Sequence, residues 1–153
     1  MPKLDSLELL FVCFAFLFQI VLLVHFSLRK WRFETAIRYG PVVYALSLLF
    51  AAVSLLMALG GMQWSFWIGG FIYLTWAGFG YIVEYLLKIN WRTPPIKGAI
   101  LGPYVILYLA VSMFYWFPLA LIYKPLWYIY AFLFVINTYL NVTSHKVAGK
   151  SSA

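Results

Sequence analysis

Of 153 residues, 65% are hydrophobic, 22% aromatic and only 10% charged, with a mean hydropathy of +0.92. Soluble domains average about 25% charged residues, and a 150-residue domain buries only about 70% of the surface it exposes unfolded, so this much apolar surface excludes a soluble globular chain. The net charge of +7 comes from Lys and Arg in short segments between apolar runs, which is the pattern of membrane orientation and not of nucleic-acid binding.

Residues 1–8 form a short polar lead. Leu9–Leu28 is the first apolar run, interrupted by Gln19 and His25. Arg29 and Lys30 directly behind it mark a retained span, not a cleaved signal peptide. Cys13 lies in this run and reads as a small packing residue. A single cysteine excludes an intrachain disulfide and a CxxC site. Arg29–Gly40 reads as a basic loop or short interfacial helix, and Pro41 opens a second span that ends near Leu59. Within it Ser47, Ala51, Ser54 and Ala58 fall at helical spacing, and this stripe of small residues predicts close packing against the third span. Gly60–Trp64 is a tight turn.

The third span, residues 65–87, is expected to be the central helix. Gly70, Tyr73, Ala77, Gly80 and Glu84 follow one another at alternating steps of 3 and 4, so small residues and the lone acid share one face. Lys88–Lys97 is a second basic loop that Pro94-Pro95 keeps from being helical. The fourth span covers 98–123, with Pro103 and Pro118 near its ends. After a turn at Lys124-Pro125 the fifth covers 126–142, and a polar tail occupies 143–153. The expected fold class is all-α: a polytopic membrane protein whose five-transmembrane-helix bundle forms one domain. Continuous apolar runs, in place of alternation, exclude a β-barrel.

Five spans put nine of the eleven Lys and Arg residues on one side, leaving Lys3 and Lys124 on the other. The N-terminus is therefore expected outside and the C-terminus in the cytoplasm, in a plasma or inner membrane. Trp64, Trp67, Trp116, Tyr123, Trp127 and Tyr128 fall at the outer boundary. Trp31, Tyr39, Tyr85, Trp91 and Tyr139 fall at the inner one, as two interfacial belts.

Polar side chains in hydrocarbon are expensive unless partnered, and so mark candidate sites. Glu84, Gln19, Tyr104, Tyr108, Asn137, Asn141 and His145 are the candidates, read together as a chamber open to the cytoplasm. Glu84 would be its anion, the asparagines its hydrogen-bonding wall and the tyrosines its lining. Simpler readings stand beside this one: Glu84 as an interfacial partner of Lys88, the asparagine stripe and Gln19 as interhelical glue, and the tyrosine face as packing. His25 and His145 alone do not make a haem site. No cofactor and no metal is expected, and there is no Gly-rich phosphate loop or HExxH motif.

In size, span number, orientation and aromatic content, together with Trp91-Arg92-Thr93-Pro94-Pro95, the chain is similar to the tryptophan-rich translocator proteins that bind porphyrins and sterols. Their Trp–Pro–Pro loop precedes the second span, whereas this one precedes the fourth, so no residue roles carry over. The leading functional expectation is a membrane protein that binds or passes an apolar or amphipathic ligand through an aromatic, cytoplasm-facing pocket. The alternative is a non-catalytic accessory subunit of a larger complex, and a lipid-modifying intramembrane enzyme comes third. Membrane lipids, an apolar small molecule and a homo-oligomeric or hetero-complex partner are the expected company.

Overall fold

The computed structural model describes residues 4–89 and 98–148, with backbone alone from residue 145 onward. The described residues form five helices: α1 (Ser6–Trp31), α2 (Phe33–Leu59), α3 (Trp64–Tyr81, prolonged by a π turn over Ile82–Leu86), α4 (Gly98–Ile122) and α5 (Lys124–Ala148). All five are long and apolar enough to cross a membrane. Leu48, Leu59, Ile106, Phe132 and Val135 are all more than half exposed on outer faces. An apolar coat of that extent calls for hydrocarbon as the solvent.

Each helix packs beside the next in sequence, and α5 closes the ring against α1. Trp76 of α3 meets Tyr104 and Tyr108 of α4 while Gly69 faces Phe114 and Tyr115, so these two helices run antiparallel. Across the closing seam, Phe16 meets Tyr130 and Gln19 meets Asn137, so α1 and α5 run parallel. Phe18 sits at the centre, its ring 5.1 Å from that of Tyr73 and 5.3 Å from that of Tyr115. Phe50 packs edge-on to Tyr73 at 4.9 Å.

The tightest approach is between α2 and α3. A Cβ on Gly70 would meet the Phe50 carbonyl oxygen at 2.6 Å and collide with the Ser54 hydroxyl. The glycine of α3 thus lies against the small-residue stripe of α2, as expected. Ser47, Ala51 and Ser54 are buried there.

Helices α1, α2 and α5 run beyond the spans read from hydropathy, for identifiable reasons. At the start of α1, Asp5 accepts from the Ser6 N–H at 2.5 Å while Glu8 accepts from the Asp5 N–H at 3.0 Å. This capping box makes the polar lead part of the helix boundary. Between α1 and α2 no loop remains. Arg32 alone breaks the helix, at φ −142° and ψ 68°.

Pro41 lies inside α2 and does not open it. A proline within a helix leaves the carbonyl four residues back without its donor. Here that carbonyl belongs to Ile37, and the Tyr85 hydroxyl donates to it at 2.8 Å. Gly40 makes this possible, because a Cβ there would collide with the Tyr85 hydroxyl.

Helix α5 continues through the expected tail to Ala148. Thr143 donates back to Tyr139 O at 2.8 Å, and Ser144 to Asn141 O at 2.7 Å, so the polar residues satisfy themselves along the helix. Cys13, expected as a packing residue, is exposed on the outer surface of α1. The Trp91–Pro95 motif lies outside the described residues.

Candidate functional site

Glu84 is held on the inward face that its spacing implies. Tyr73, Ala77 and Gly80 of that face are buried, and the Glu84 side chain is 16% exposed. It sits inside the π turn, where Leu87 N–H bonds to Ile82 O at 2.8 Å, five residues back instead of four. The turn closes with Lys88 in the left-handed region at φ 50°, and Ile89 N–H reaches Val83 O at 3.0 Å. Such wide turns recur at functional positions in helices.

Two other helices bring partners to the carboxylate. Tyr44 of α2 donates its hydroxyl to Glu84 Oε2 at 2.8 Å. Arg29 of α1, its side chain 6% exposed, places Nη2 at 3.6 Å from the same oxygen. Gly80 clears the way, since a Cβ there would stand 3.0 Å from the Tyr44 hydroxyl. Tyr81 and Tyr85 stack at 5.5 Å, and each lies edge-on to Tyr44. The acid is thus enclosed by one guanidinium and a group of tyrosines. The simpler reading with Lys88 as partner gives way to one in which Arg29, from another helix, makes the ion pair. Lys88 is exposed.

The polar group rests on an aromatic layer. The His25 ring, 3% exposed, lies 6.5 Å from Tyr44 and 5.6 Å from Phe26. Phe26 lies 6.0 Å from Tyr108, which in turn is 6.2 Å from Trp76 and from Phe134. Trp76 packs at 5.1 Å from Tyr104. Rings therefore lead without interruption from the Glu84 cluster into the bundle.

The other predicted residues gather separately. Asn137 donates its amide to Gln19 O at 2.9 Å and to Gln19 Oε1 at 2.5 Å, across the α1–α5 seam. Asn141, one turn further along α5, is buried with its Oδ1 unpartnered, as are Asn137 Oδ1 and Gln19 Nε2. Tyr108 shares a hydrogen bond of 3.3 Å with Thr138. Tyr104 and Tyr108 are both buried on the predicted face with Ser112 and Tyr115. The His145 side chain lies outside the described residues. Glu84 is thus brought to the tyrosine layer through His25 and Phe26, while Gln19 and Asn137 form their own pair.

Arg29 and Tyr44 are the site residues that the sequence reading passed over. Two buried nitrogens at this end carry no hydrogen-bond partner: Arg29 Nη1 and Trp76 Nε1. Among the described residues no group of three or more His, Cys, Asp or Glu stands ready for a metal ion. Comparison with protein-family models, with curated proteins and with solved structures finds no match for this chain.

Proposed function

We propose that this is a small integral membrane protein that binds or passes an amphipathic small molecule at the basic end of its bundle. The observation that carries this reading is that a polar group, Arg29–Glu84–Tyr44, is joined through the His25 ring to a layer of rings, Phe26, Trp76, Tyr104 and Tyr108. Polar groups on one side and aromatic walls on the other match a ligand with a head and an apolar body. Buried charge inside a membrane is costly, and is kept where it serves binding or transport. The basic end, with Arg29, Lys30, Arg32, Arg38 and Lys88, faces the cytoplasm, as the distribution of Lys and Arg supports. The N-terminus is then outside and the C-terminus inside.

Native mass spectrometry of the protein released from lipid nanodiscs tests this. The expected result is a bound small molecule on the wild type that is depleted in Tyr108→Ala, which opens the aromatic layer. A bare chain in both would count decisively against a ligand site.

A further inference from the structure

Lys30 is a cation that the Glu84 cluster does not use. It is half-buried on α1. Its ammonium lies 5.4 Å from the centre of the Trp31 ring and 4.9 Å from that of Tyr139 on α5, so it bridges the α1–α5 seam. The direction it takes is unusual. Gln19 and Asn137 bond across this seam, yet Lys30 lies eleven residues beyond Gln19 and Tyr139 only two beyond Asn137. To reach that ring the Lys30 side chain runs back along α1 toward the hydrocarbon, whereas a lysine at a helix end ordinarily carries its charge out to water. Among the described residues no carboxylate forms an ion pair with it. The two ring faces attract the ammonium but leave its charge unneutralised.

The outer surface beside it is apolar on both helices. Ile20, Val24 and Trp31 of α1 and Phe132, Val135 and Tyr139 of α5 are all more than half exposed. Because α1 and α5 run parallel, the two rows lead the same way, and each ends at a ring that Lys30 touches. From Ile20 to Trp31 the row is about 16 Å long at ~1.5 Å per residue, close to half of a hydrocarbon core about 30 Å thick. We infer that this seam seats one phospholipid of net negative charge, with its phosphodiester on Lys30 and an acyl chain along each row. The seat lies open on the lipid-facing surface and needs no enclosed cavity. Arg29, committed to Glu84, takes no part in it. A basic group between membrane helices suits such a head. A zwitterionic lipid offers the same phosphate but cancels its charge with its own ammonium.

The test is native mass spectrometry of the full chain titrated separately with dioleoyl phosphatidylglycerol and dioleoyl phosphatidylcholine, which share acyl chains and phosphodiester. The first phosphatidylglycerol is expected to bind about fivefold tighter than the first phosphatidylcholine, the margin of one lysine facing an anionic lipid. Lys30→Gln should abolish that margin and leave phosphatidylcholine binding as it was, while Lys30→Arg should keep it. Arg38→Gln removes an exposed cation from the same end, on α2, and should leave the margin in place. An equal loss in Lys30→Gln and Arg38→Gln would overturn the seat in favour of a diffuse basic surface. Equal binding of the two lipids by the wild type would overturn it outright. So would a dimer of the chain that takes up no phosphatidylglycerol, since the seam would then be an interface between copies. None of these outcomes bears on the Tyr108→Ala test of the ligand site.

Discussion

The α2–α3 and α1–α5 interfaces are built on different principles. In the first, glycine brings two antiparallel backbones together and tyrosine hydroxyls reach across to main-chain carbonyls. Tyr73 donates to Val43 O at 2.9 Å and Tyr85 to Ile37 O at 2.8 Å. Acceptors of that kind are fixed in the helix itself, so the contact has little freedom. In the second, two parallel helices meet through side-chain amides, and Gln19 Nε2, Asn137 Oδ1 and Asn141 Oδ1 remain unpartnered inside it. One interface is a strut. The other is a seam with spare polar capacity, able to exchange partners at low cost.

Three substitutions would break or sharpen that contrast. Gly70→Val drives carbon into the Phe50 carbonyl, which cannot swing aside, so a loss of about 3 kcal/mol is expected as a strong drop in thermal or denaturant midpoint in detergent. A stable Gly70→Val variant would mean that α2 and α3 can separate freely. Tyr85→Phe leaves the Ile37 carbonyl without the donor that replaces the one lost at Pro41. Its expected cost is about 1–2 kcal/mol, read in the same assay. Combining it with Pro41→Ala, which returns the missing N–H, should recover most of that loss. Asn137→Leu removes the seam's amide pair and should cost only about 0.6 kcal/mol, the average for such bonds between membrane helices. A cost as large as that of Gly70→Val would make the seam as rigid as the strut.

Much of the architecture was legible because lipid imposes simple rules. The steps of 3 and 4 from Gly70 to Glu84 gave the inward face of α3, and the small residues of α2 gave its partner. The rest lies either in short-range detail or in pairings far apart in sequence. Arg29 follows the apolar run like a loop cation, yet Phe18, Leu22 and His25 stand at helical steps before it, and that buried face runs straight on to the guanidinium. Asp5 and Glu8 have the spacing of a capping box, and that spacing already marks the start of α1. Pro41 has the look of a helix start, because proline suits that position. Its true setting depends on Tyr85, 44 residues away, which no local rule can reach. The pairing of Gln19 with Asn137 spans 118 residues and is a product of ring closure. The π turn has no sequence signature at all.

That wide turn carries a residue of slack. An α turn needs one fewer, and each residue of helix corresponds to about 100° of rotation. A slip of a single position would therefore swing the carboxylate round the helix axis, out of reach of guanidinium and phenol. Gly70, Tyr73 and Ala77 would stay seated throughout. The chain has put its acid in the one wide turn of α3, at the end where a change of register would leave the packed part of the helix in place.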